Sequence, residues 1–162
     1  MVSMRMLVVF CLFALSAHAV AQEALPLVRG QTLYLPVYSH IWYGDVDGKG
    51  KPEKTLVSVL VSIRNTDPSR SIRLLSARYY DTEGRQLREY VKSPRTVAAM
   101  GTMELFIPRS DDTGGSGANF VIAWQSDLAV NPPIVEALHV NLPSGSGRSV
   151  AFTTAARPIS AD

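Results

Sequence analysis

Apolar and polar positions alternate with period two along most of this chain, and no window sustains the 3.6-residue period of an amphipathic helix. The clearest run is Thr55–Arg64, where Val57, Val59, Val61 and Ile63 face one way and Ser58 and Ser62 the other. Gln31–Tyr38 sets Leu33, Leu35 and Val37 against Tyr34, Pro36 and Tyr38. Proline lacks an N–H, so Pro36 places this strand at an edge or a bulge. In Ser71–Asp81 the phase slips: Ile72 and Leu74 share one face, and Leu75, Ala77 and Tyr79 the opposite one, which predicts a bulge near Leu74. Asp81-Thr82-Glu83-Gly84 reads as a tight turn leading into a hairpin with Gln86–Val91. Thr102–Ile107, Ile134–Asn141 and Ser149–Thr154 complete the simpler strands.

One stretch organises the rest. Asp111–Asp127 begins as a glycine loop and becomes an apolar run, with Phe120, Ile122 and Trp124 on one face and Val121 and Ala123 on the other. Two apolar faces predict a central strand flanked on both sides. Eight or so short strands, turn signals every ten or so residues and no helix predict an all-β fold. It is a single β-sandwich of immunoglobulin-like or related topology.

The N-terminus obeys different rules. Arg5 is followed by an apolar run from Met6 to Ala17 and by Ala19-Val20-Ala21, the order of a cleavable signal peptide. The run falls short of the roughly 20 residues that cross a bilayer. The expected organisation is therefore a signal peptide over 1–21, a flexible leader over 22–30, the sandwich over 31–158 and a tail over 159–162. Cleavage removes the only cysteine, Cys11, so the exported chain has no disulfide or thiol chemistry. A domain of this size buries roughly 70% of its unfolded surface, enough for a core without a covalent staple. Losing Arg5 lowers the net charge from +2 to +1, and no basic run exists to collect nucleic acid or anionic lipid.

Five ordered segments, Gly30–Asp45, Leu60–Pro68, Arg78–Tyr90, Asp112–Trp124 and Asn131–Ala137, resemble the motifs of a bacterial exported family, domain of unknown function number 3124. The resemblance runs from about Gly30 to Pro158. It implies a bacterial envelope protein in the periplasm or released from the cell. It brings no activity, substrate or catalytic residue.

The residues offer little chemistry of their own. Asp45-Val46-Asp47-Gly48-Lys49-Gly50 imitates the start of a calcium loop, but Lys49 and Leu56 stand where an oxygen donor and a bidentate glutamate belong. The Gly114–Gly117 loop lacks the Lys-Ser/Thr and the helix of a phosphate-binding loop. It reads as a turn whose glycines supply positive φ angles, with Asn119 satisfying loop N–H groups. His40 and His139 match no zinc-ligand spacing, and each is expected to hold a polar tip at the surface. No G-x-S-x-G elbow marks a nucleophile. The expectation is a protein without cofactor, metal or catalytic residues.

Aromatics carry the remaining signal. Trp124, Phe120, Tyr79 and Phe152 keep phase with aliphatic neighbours and are assigned to the core. Tyr38, His40, Trp42 and Tyr43 cluster around the end of the proline-bearing strand and form a candidate surface for a protein or glycan partner. The expected function is a non-enzymatic interaction or assembly module. The alternative is a small-ligand or hydrolytic site built from Asp112, Gly114, Gly115, Ser116, Gly117 and Asn119.

Overall fold

The computed structural model describes residues 26–143, 145 and 147–161, so the signal-peptide assignment lies outside the described residues. Among the described residues twelve strands form: β1 (Val28–Pro36), β2 (His40–Val46), β3 (Pro52–Leu56), β4 (Ser58–Arg64), β5 (Ile72–Tyr80), β6 (Gln86–Glu89), β7 (Arg95–Val97), β8 (Thr102–Ile107), β9 (Asn119–Val130), β10 (Ile134–Asn141), β11 (Val150–Ala155) and β12 (Arg157–Ala161). One sheet has the order β12-β1-β9-β5-β6, with β7 also paired to β5; a second has the order β11-β10-β4-β8. Strands β2 and β3 form a separate two-stranded ribbon.

The two larger sheets pack face to face, as the alternation requires. Leu33, Leu35, Ile72, Leu74, Ala77, Tyr79, Phe120, Ile122 and Trp124 meet Val59, Val61, Ile63, Leu105, Ile107, Val135 and Ala137 in one core. Strand β9 is central, paired antiparallel to β1 and to β5. The predicted bulge is present: the β5–β9 register shifts between Leu74 and Ser76, so Ile72, Leu74, Ala77 and Tyr79 can all point inward. The turn after β5 also closes as read, with Gly84 N–H donating to the Asp81 carbonyl and Gly84 at φ 80°.

Twelve strands replace the expected eight for physical reasons. The chain turns at Val37–Ser39 instead of continuing one strand, and the expected Thr55–Arg64 strand divides at Val57, whose N–H donates to Ser39. Residues 159–161, read as tail, belong to β12, which pairs with β1. Its described side chains are exposed, so it has no alternating signature to read. Consequently β1 is an interior strand, not an edge. Pro36 is tolerated because the β12 pairing ends at Tyr34, beyond which no ladder needs its missing N–H. Its carbonyl accepts from Thr154 Oγ1 at 2.6 Å.

Candidate functional site

The four aromatic positions of the predicted surface do not form one surface. Tyr38 turns toward the sandwich, edge-on to His139 and Phe152 at ring separations of 5.6 and 5.7 Å. His40 is buried, edge-on to Trp42 at 4.9 Å. Strand alternation then divides the ribbon. The cross-strand pairs His40–Leu56 and Trp42–Lys54 share one face, and Ile41–Thr55 and Tyr43–Glu53 the other. Trp42 and Tyr43, 42% and 43% exposed, therefore point in opposite directions.

The glycine loop is a packed corner, not an open cradle. Two of its donors are used internally: Gly115 N–H donates to the Asp112 carbonyl and Gly117 N–H to Thr82 Oγ1. The Gly114 carbonyl accepts from both the N–H and the hydroxyl of Thr82, and the Gly115 carbonyl accepts from Ser39 N–H. Only Gly115 of the three glycines has a positive φ, 77°. Gly114 is required for space, since a Cβ there would overlap the Tyr79 hydroxyl and lie 2.7 Å from its Cζ and 2.8 Å from the Ala118 Cβ. Asn119 is not a turn residue: it opens β9, paired between Pro36 and Tyr80. Thr82 Oγ1 and Asp111 Oδ1, the latter accepting from Thr113 N–H, take the acceptor role expected of it. Ser116, half-buried, rides on this corner.

The packing at Gly114 gives a test. Gly114→Ala is expected to cost about 1–3 kcal/mol, the usual range for an overpacked site, in urea melts. Adding Tyr79→Phe should recover part of that loss by removing the overlapped hydroxyl. An unchanged melt for Gly114→Ala would refute the tight corner.

The ribbon and the loop meet at one ion pair. Lys54 Nζ lies 2.8 Å from Asp112 Oδ2, and this lysine holds the Asp112 carboxyl below the usual carboxylate range. His40 is depressed first by burial and then by Lys54, while Asp112 pulls it the other way. His40 Nδ1 is buried without a hydrogen-bond partner. The adjacent Ser39 Oγ is hydrogen-bonded to Tyr79 Oη at 3.0 Å.

The histidines correct the sequence reading, because both are buried. His139 is 0% exposed. It stacks on Phe152 at 4.4 Å, and its Nε2 accepts from Tyr38 N–H at 3.1 Å. Phe152, assigned to the core, is half-buried at this end of the sandwich. Among the described residues no group of three His, Cys, Asp or Glu side chains gathers as a metal set, and no helix is long and apolar enough to cross a membrane. The roles of Thr82, Lys54 and Ser39 at this corner have no signature in the sequence. Their partners lie 58 positions away for Lys54 and 40 for Ser39, with no local signal.

A family model described as a protein of unknown function, DUF3124, matches residues 30–159. The chain belongs to this family. No curated protein matches it at a significant level. Among solved structures it is similar to the crystal structure of Thermotoga maritima 1070, at 9% identity over 80% of this chain and 93% of that one, with a TM-score of 0.41. The five motifs noted in the sequence fall within the matched span. They include most of the β2 strand of the ribbon, the Asp81 turn, most of the glycine corner and parts of the strands that flank them.

Proposed function

We propose that this DUF3124 domain is an exported, non-enzymatic interaction module of the bacterial envelope, and that it meets a protein partner at the β2–β3 ribbon. The observation that carries the reading is the ribbon itself. Among the described residues its two strands pair only with each other, and they present Trp42 and Tyr43 to solvent. Tyr and Trp bring large contact area at small rotamer cost, which is why they dominate interface hot spots. The ribbon is anchored at its base by Val57 N–H on the Ser39 carbonyl, Ser39 N–H on Gly115 and Lys54 on Asp112. Its aromatic positions are thereby held in place, and less ordering is left to binding. Export rests on the signal-like order of residues 1–21.

The small-ligand alternative has weaker support. The donors at Gly115 and Gly117 are bonded within the corner, and Asp112 is ion-paired.

Tagged protein purified from its native envelope provides the test. Trp42→Ala with Tyr43→Ala should lower partner recovery at least about 30-fold, the equivalent of one hot spot of 2 kcal/mol, while the thermal melt stays put. Unaltered recovery, or a double variant that unfolds, would sink the proposal.

A further inference from the structure

The face of the ribbon that carries Tyr43 forms one wall of a cleft of about 460 Å³. Ile41 and Thr55, directly opposed across the ribbon, and Tyr43 make that wall; Arg148, Ser149 and Val150, leading into β11, make the other. The volume falls in the usual range for ligand sites.

The lining selects the ligand. Ile41, Val150 and the Tyr43 ring are apolar, and Thr55 and Ser149 contribute hydroxyls. Arg148 is the one charged residue among those that line the cleft; Glu53, paired with Tyr43 across the ribbon, is not among them. The ion pairs among the described residues engage Lys54, Arg64, Arg73, Arg85 and Arg88, but not Arg148, which is exposed. A single guanidinium above an apolar floor fits one carboxylate, held by two parallel N–H···O bonds, attached to an apolar group. Among the described residues strands β2 and β3 have no third strand beside them, so their outer edges offer main-chain groups to an extended segment. A saccharide would ask for more hydroxyl and amide partners than this mostly apolar lining supplies.

We infer that the cleft takes the free C-terminus of an extended polypeptide with an apolar last residue. Its carboxylate sits on Arg148, its terminal side chain lies between Ile41, Tyr43 and Val150, and its backbone runs along the ribbon edge. This rests on the ribbon reading above and names the chemistry of the partner.

The test uses fluorescently labelled hexapeptides ending in Leu, Ile, Val, Phe or Met, each as free acid and as C-terminal amide, titrated by polarisation. The free acid of at least one ending should bind about tenfold or more tighter than its amide, as a charge-assisted hydrogen-bonded contact requires. Arg148→Gln should abolish that preference without altering the melt, and Tyr43→Ala should weaken acid and amide alike. Equal binding of acid and amide, with Tyr43→Ala still weakening both, overturns the chain-end inference and leaves the ribbon reading standing. N-acetyl-leucine competing as well as the hexapeptide also overturns it, reassigning the cleft to small carboxylates. So does absence of binding by every peptide at about 1 mM, in which case the double-variant recovery experiment alone decides the ribbon reading.

Discussion

Trp124→Ala should cost about 3–5 kcal/mol in urea melts, the range for a large aromatic removed from a core. Trp124 is 2% exposed in the middle of β9, opposite Gln31 on β1 and Leu74 on β5. The backbone around it is close-packed too: a Cβ on Gly30 would lie 2.9 Å from the Trp124 carbonyl oxygen. The structure adds a second expectation. The indole Nε1 is buried without a hydrogen-bond partner, and an orphaned donor itself costs about 1–3 kcal/mol. Trp124→Phe discards volume and the orphan together, so its loss should stay below about 2 kcal/mol. A Trp124→Ala loss under about 1 kcal/mol would place the ring outside the core.

What could be read from the sequence depended on whether a residue's environment is set by its own strand. Val57, Val59, Val61 and Ile63 are all fully buried, as period two demands, and the slipped phase of β5 foretold its bulge. His139 was readable and misread: it keeps phase with Val135 and Ala137 on the inner face of β10, so its burial follows from alternation. The division of Trp42 from Tyr43 also follows from alternation, once the ribbon is known to be a ribbon. By contrast, Gly114 beneath Tyr79, Lys54 on Asp112 and Arg148 across from Tyr43 are products of topology. These pairs are distant in sequence, and no local pattern encodes them. Much of the candidate site lies in that second category, which is why the sequence, which reads the glycine loop as a turn with a ligand site as the alternative, carries no sign of its packing against Tyr79 and Thr82.

The buried His139 makes stability depend on pH in a window of its own. Burial lowers its pKa to about 4, with the Phe152 and Ala137 backbone offsetting part of the effect. An unfolded histidine titrates near its ordinary value of about 6.5. The native state therefore refuses a proton that the unfolded chain accepts, so this stabilisation is complete above about pH 6.5. It declines as pH falls and levels off below about pH 4, where the native state also takes up the proton. Between pH 7 and pH 5 the loss from this residue should be about 2 kcal/mol. Asp47, Asp67, Asp81 and Asp112, all held below the ordinary carboxylate range, act mainly at lower pH and with the same sign. His40 is depressed as well and contributes in the same window. Comparison of the wild-type chain with His139→Gln isolates the buried ring, because a glutamine carbonyl can still accept from Tyr38 N–H but cannot titrate. Urea unfolding at pH 7 and pH 5 should show the variant losing about 2 kcal/mol less than wild type over that interval. Equal losses in the two proteins would mean that His139 is protonated as easily in the fold as outside it.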